Sequence, residues 1–259
     1  MIFNLIDDPA DLVPLRRALA QERWIALDCE AAGFHRYSDR LCLLQISTAD
    51  VTVVVDSLAF DPGDALRGPL GDSSVEILMH GADYDLRLLD RDLKVAVRGL
   101  FDTQVAASLL GESAIGLAAL LEQNFGVKLS KKYQRADWAK RPLSEDMLAY
   151  AATDTLHLRA LADLLKDRLS RIGRLEWALE ECRQLEDTRW EEDSEEDPVQ
   201  RVKGARDLGP REVTALREPL AWRDRIARDR DRAPFRVAGD QALSRSWCAS
   251  RAPRTPWPR

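Results

Sequence analysis

Short apolar runs crowd the first part of the chain, and helical spacing of apolar residues takes over after them. Trp24-Ile25-Ala26-Leu27-Asp28-Cys29-Glu30, Arg40-Leu41-Cys42-Leu43-Leu44-Gln45-Ile46-Ser47, Val51-Thr52-Val53-Val54-Val55-Asp56 and Glu76-Ile77-Leu78-Met79-His80 are each only a few residues long and rich in aliphatic side chains. That length and composition predict buried strands. The polar Thr48-Ala49-Asp50 predicts a tight hairpin, and the first three runs, joined by short links, predict an antiparallel meander. An amphipathic helix is predicted over 8–22, ahead of the first strand. Others follow over 83–93, over 103–110 (opened by Phe101-Asp102-Thr103) and over 115–125, the last closed by Gly126. A long helix is predicted over 145–169, with Ser144 as its cap and Glu145 and Asp146 in a first turn that favours negative charge. Residues 174–190 continue helical. Strands first and helices after them predict an α/β fold, a mixed sheet flanked by helices.

One strand breaks the pattern. Asp28 and Glu30 stand where apolar residues are expected, and alternation along a strand points both the same way, roughly 7 Å apart. Ile25, Leu27 and Cys29 point to the other face. Two carboxylates on one core strand repel each other and lose hydration. A divalent cation between them removes both penalties, and hard oxygen ligands suit Mg²⁺ or Mn²⁺.

Composition narrows the classes. The chain has 259 residues, 45% hydrophobic and 32% charged, ordinary for a soluble globular protein and long enough for one large domain and a small one. The first residues carry two early acids and no basic stretch, so they are not expected to be a signal peptide, and no run approaches the roughly 18 apolar residues of a membrane span. Cys29, Cys42, Cys182 and Cys248 are far apart, which fits reduced thiols in the cytoplasm rather than a zinc site. His35, His80 and His157 are scattered and read as structural or loop residues, and no glycine-rich phosphate loop is present, so no organic cofactor is expected. Net charge is −6, unevenly spread. Residues 198–259 hold 15 Lys+Arg against 7 Asp+Glu, and residues 1–197 hold 23 against 37. The acidic run 191–198 therefore reads as a linker between a domain over 1–190 and a basic, mostly helical segment over 199–259. After Leu243 the amphipathic period is lost, and the ending reads as a truncated or frameshifted one.

Further chemistry lies on the helices. Tyr150 and Asp154 are four apart and share one helix face. Asp83 and Asp85 begin another helix; Asp83 suits the N-cap and leaves Asp85 to face a site. Asp102, just before Thr103, reads as a cap, and Trp138 as packing.

Taken together, these residues resemble the ribonuclease D group, the tyrosine-type branch of the four-carboxylate 3′→5′ exonucleases. The resemblance rests on Leu27-Asp28-Cys29-Glu30, on His80-Gly81-Ala82-Asp83-Tyr84-Asp85-Leu86 and on Tyr150-Ala151-Ala152-Thr153-Asp154, in order. Phe101-Asp102-Thr103 and the stretch from Tyr133 to Leu143 match as well, so that about residues 1–190 are covered. It implies a ribonuclease H-like mixed sheet and a hydrolase that shortens RNA from its 3′ end, with tRNA precursors or other structured RNA as substrates. It also implies two divalent ions: Asp28 shared between them, Glu30 and Asp154 on the water side, Asp85 completing the second site. Tyr150 would orient the attacking water, since a phenol is a poor base at neutral pH. Lys131 matches a position that meets substrate phosphate. The segment from Pro210 to Val237 resembles the start of the helical HRDC domain, a nucleic-acid-binding module, here incomplete. The catalytic motifs do not distinguish RNA from DNA, so a DNA exonuclease of the same fold stays open, as does a non-catalytic RNA-binding module.

Overall fold

The structure, a computed structural model, describes residues 3–191 and 197–243. The reading of the chain after Leu243 and most of the acidic linker lie outside the described residues. The chain divides into two compact units, residues 3–31 with 40–190 and residues 32–39 with 191 and 197–243.

The first unit is built on a six-stranded mixed sheet of β1 (Asn4–Ile6), β2 (Trp24–Ala31), β3 (Leu41–Ser47), β4 (Thr52–Asp56), β5 (Glu76–Met79) and β6 (Leu100–Asp102), in the order β1-β4-β3-β2-β5-β6. β2, β3 and β4 form the antiparallel meander, and the other pairings are parallel. The link between β2 and β3 is not short, however, because residues 32–39 belong to the second unit. β1 and β6, three residues each, carry too little periodicity to be read from sequence.

Alternation along the strands sends Ile25, Leu27, Leu44, Ile46 and Val55 into a core closed by α1 (Leu12–Leu19), α2 (Gly63–Gly71) and α3 (Asp83–Leu88). Ala26, Leu78 and Phe101 face a second core under α4 (Thr103–Leu110), α5 (Leu117–Phe125), α7 (Leu158–Arg171) and α8 (Leu175–Leu185). α6 (Glu145–Leu156) lies over β2, β3 and β4.

The elements differ from expectation in several places. The helix expected over 8–22 is a 3₁₀ turn, Pro9–Asp11, followed by the shorter α1, because Pro9 and the cap formed by Asp8 favour the tighter turn. α2 contains Pro69, the residue that hid it. The helix over 83–93 changes after Leu88 to a π turn, Leu89–Leu93, ended by Lys94 at φ 54°. The long helix expected over 145–169 is two, broken at His157 with φ −105° and ψ −1°. α6 packs on β2, β3 and β4 and α7 on α4, so one leucine and alanine spacing serves two directions. Helix 174–190 shortens to α8.

In the second unit, α9 (Pro210–Asp229) brings Leu216 and Leu220 to a small core with Val199, Val202 and Leu243, and α10 (Pro234–Val237) packs against α9. Residues 32–39 join it through Tyr37, whose hydroxyl donates to Asp224 at 2.9 Å, and through the Phe34 carbonyl, which accepts from Arg236 at 2.7 Å. No helix among the described residues is long and apolar enough to cross a membrane.

Candidate active site

The site gathers where β2 ends. Asp28 and Glu30 project from one face of this strand, and the pairing with β3 shifts register between Glu30 and Ala31. Such an irregularity turns the strand away and re-aims its last side chains. α6 supplies Tyr150 and Asp154. Its seat on the sheet is fixed by a buried hydroxyl chain in which Ser47 bonds Thr155 at 2.7 Å and Thr52 at 2.9 Å. Ligand oxygens of Asp28, Glu30 and Asp154 lie within 4.8 Å of one another.

Asp85 sits in the first turn of α3, half-buried. The turn into this helix needs Gly81 at φ 74°, where a Cβ would come within 3.2 Å of Gln104. The Asp102 carboxylate then accepts from the amides of Gly81 and Ala82 at 3.0 and 2.7 Å. It also accepts from Gln104 at 2.7 Å, capping α4. Asp83 is not the N-cap. Ala82 holds that position with no side-chain cap, and Asp83, in the first turn, pairs outward at 3.1 Å with Arg87, which lies one turn on and takes its carboxylate.

The electrostatics follow from crowding. Loss of water raises every one of the four carboxyls. Glu30 reaches about 9, first from burial and then from Asp154 and Asp85. Asp85 reaches about 8, from burial and Asp102. Burial takes Asp154 to about 7. Asp28 is raised well above the usual range by burial, then by Asp85, Asp154 and Glu30. Asp85 is therefore close enough to be felt by both β2 carboxyls. Tyr150 is also pushed upward, by burial and by Asp154, Glu30 and Asp28, so its hydroxyl keeps its proton.

Tyr150 is held by aromatic neighbours. Trp138, almost fully buried, stacks on it at 6.1 Å, and Tyr133 meets it edge-on at 5.7 Å. The loop carrying them is pinned by Arg141, whose guanidinium meets both Asp56 oxygens at 2.6 Å and the Trp138 carbonyl at 2.6 Å. Asp28, Glu30, Tyr150 and Asp154 open into a cleft of about 440 Å³, and Lys131 and Gln134 from the same loop line it. Lys131 is exposed at its edge.

Two cleft residues carry no sequence signal beyond their neighbours. His80, expected to be merely structural, lines the cleft while its Nδ1 meets the Thr103 hydroxyl at 2.9 Å. Gln104, two residues after the Asp102 cap, lines the same cleft.

The donor set suits a divalent cation. Hard oxygens converge, and among the described residues the group consists of carboxylates alone. Such a set can bind a metal and, with it, a phosphate.

Residues 3–170 match the 3′-5′ exonuclease family. The chain is 33% identical over 255 residues to the exosome complex exonuclease RRP6 of Saccharomyces cerevisiae, covering 92% of this chain and 35% of that protein. It is 35% identical over 244 residues to ribonuclease D of Gluconacetobacter diazotrophicus, covering 92% of this chain and 61% of that one. The chain thus spans less than two thirds of either relative. Among solved structures, the catalytic core of RRP6 from Trypanosoma brucei superposes with a TM-score of 0.84 at 29% identity, over 98% of this chain and 75% of that one.

Proposed function

The chain belongs to the 3′-5′ exonuclease family, and on that premise we propose that it is a metal-dependent 3′→5′ exoribonuclease of ribonuclease D type. The observation that carries this reading is the convergence of Asp28, Glu30 and Asp154 within 4.8 Å, in a cleft shared with Tyr150 and Lys131. In this reading Asp28, Glu30 and Asp154 hold one divalent ion, Mg²⁺ or Mn²⁺. Asp28 and Asp85 hold a second. Bound ions of this kind supply Lewis acidity to the attacking water and to the leaving 3′-oxygen.

The protein's own groups do the positioning. Tyr150 keeps its proton, so its hydroxyl orients the water rather than deprotonating it. The clamp of Trp138 and Tyr133 fixes that hydroxyl in place. Lys131 at the cleft edge meets a phosphate of the strand. The substrate would be an RNA 3′ end, of a tRNA precursor or another structured RNA. The second unit would act as an incomplete HRDC-like appendage that grips RNA, an assignment supported by the excess of 15 basic over 7 acidic residues in 198–259.

The test is degradation of 5′-labelled single-stranded RNA and DNA of equal sequence, each with Mg²⁺, Mn²⁺ or EDTA. The expected result is a ladder shortening from the 3′ end with either metal, no shortening in EDTA, and RNA cut faster than DNA. Equal or faster cutting of DNA would move the assignment to a DNA exonuclease. RNA binding with no cutting under any metal would make the chain a binding module.

A further inference from the structure

Gln45 lies in the middle of β3 and is completely buried, yet neither its amide nitrogen nor its amide oxygen has a hydrogen-bond partner. A primary amide shut away from water and left unbonded is costly, and apart from Ser47 at its end apolar residues fill the rest of this strand. A side chain that keeps such a group has to use it in some state of the protein.

The sheet register limits what it can reach. Gln45 pairs directly with Asp28 on β2 and with Val54 on β4. Directly opposed residues point to the same face, with Cβ atoms about 4.5–5.5 Å apart. Gln45 therefore shares the face that carries Asp28 and Glu30, beneath α6. Ser47, two residues on and on the same face, is engaged with Thr52 and Thr155, at 2.9 and 2.7 Å. Val54 offers no polar atom. The Asp28 carboxyl is the group across the strand pair with acceptor sites to spare.

We propose that Gln45 is a positioning residue, donating an Nε2–H to the Asp28 carboxylate when that carboxylate ligates a divalent cation. This rests on the reading of Asp28 as a metal ligand. An ionised carboxylate only accepts hydrogen bonds, and a metal uses only part of its four lone-pair sites. A donor on the remaining sites fixes the rotamer of the ligand, as hydrogen-bonded neighbours of metal-ligating side chains commonly do. β3 is a rigid central strand, so the donor is held in place by the sheet rather than by a loop.

The experiment uses the full chain and the variants Gln45→Met and Gln45→Leu, which keep bulk and remove the donor. Mn²⁺ binding is measured by calorimetry and thermal unfolding is followed in EDTA. The expected result is a metal-free melting temperature unchanged or raised, because an orphaned amide is gone, together with Mn²⁺ affinity weaker by about 10- to 100-fold. Unchanged Mn²⁺ affinity would overturn the proposal, as would a loss of affinity only in step with a fall in the metal-free melting temperature. The wild-type protein gives a second measurement that needs no variant. With ¹⁵N-glutamine labelling, the side-chain amide showing cross-peaks to Val54 methyls should shift on addition of Mg²⁺, and an unmoved signal would sink the idea. Asp28→Asn separates the two readings: if wild type and Asp28→Asn bind Mn²⁺ equally, the ligand assignment fails, and Gln45 with it. If only Asp28→Asn loses the metal while both Gln45 variants keep it, the Gln45 proposal alone fails.

Discussion

Asp28, Glu30, Asp85 and Asp154 are all raised, and the sign of that shift has a measurable consequence for the metal-free protein. In the unfolded chain these carboxyls ionise near pH 4. In the folded chain Asp154, Asp85 and Glu30 hold their protons up to about 7, 8 and 9. The folded state thus binds more protons through this window, and stability falls as pH rises across it. His80 works the other way, since burial lowers it and its contribution grows as pH rises through its ordinary range. One imidazole does not reverse several carboxyls. Asp72, Asp92, Asp146 and Asp197 are all lowered, so they lose their stabilising charge only below the ordinary carboxylate range and leave the neutral window untouched. A metal must displace the held protons, so its stabilisation grows over the same window. Thermal unfolding in EDTA should show a melting temperature that falls from pH 5 to pH 8.5, with an increment from Mg²⁺ that rises. A flat EDTA profile with a constant increment would mean that the four groups are ionised without metal.

At the scale of elements, the convergence of Asp28, Glu30 and Asp154 was legible because period-two and i,i+4 geometry survive any tertiary context. Two carboxylates in Trp24–Glu30 contradict the apolar run around them, and Tyr150 and Asp154 contradict the apolar face of their helix. The start of α3 was harder. The sequence offers Asp83 and Asp85 at a helix beginning and makes Asp83 the natural cap. Only the fold reveals that Ala82 is the N-cap, that Asp83 pairs outward with Arg87, and that Asp102, from β6, holds the Gly81 and Ala82 amides just ahead of the helix. β6 itself was invisible because three buried residues have no period, and the break at His157 was invisible because α6 and α7 use the same spacing on different partners. This reassignment separates the two acids experimentally. Asp83 makes an exposed i,i+4 pair with Arg87, worth about 0.3–0.5 kcal/mol. Asp83→Asn should leave cleavage within about twofold of wild type, the rate equivalent of that energy. Asp85→Asn removes a charge felt by both β2 carboxyls and should lower kcat by roughly 100-fold or more, the scale of several kcal/mol of lost metal and charge stabilisation. Parallel rate measurements on the two variants decide it, and a damaging Asp83→Asn beside a harmless Asp85→Asn would reverse the assignment.

At the scale of the whole molecule, the chain is not simply a sheet-based domain with a detachable end. Residues 32–39 leave β2 just after the Glu30 strand and belong to the second unit, where Tyr37 meets Asp224 and Arg228, Arg36 pairs with Asp231 at 3.3 Å, and Arg236 holds the Phe34 carbonyl. Removing residues 198–259 takes away all of these partners at once. The six-stranded sheet keeps its own two cores, so it should stay folded, but the freed loop should become a site of cleavage by chymotrypsin at Phe34 and Tyr37. The deletion also removes 15 basic and 7 acidic residues. Contacts of basic side chains with phosphates release counterions, and the number of such contacts sets how steeply binding weakens with salt. The shortened chain should therefore still degrade short single strands at low salt, but bind longer RNA more weakly and with a shallower dependence on log salt. RNA affinity across a salt series, measured on both chains, gives the answer directly. Identical slopes would show that the basic segment makes no phosphate contacts. Its part in the molecule would then be confined to anchoring the loop that leaves β2, a role the protease experiment reads on its own.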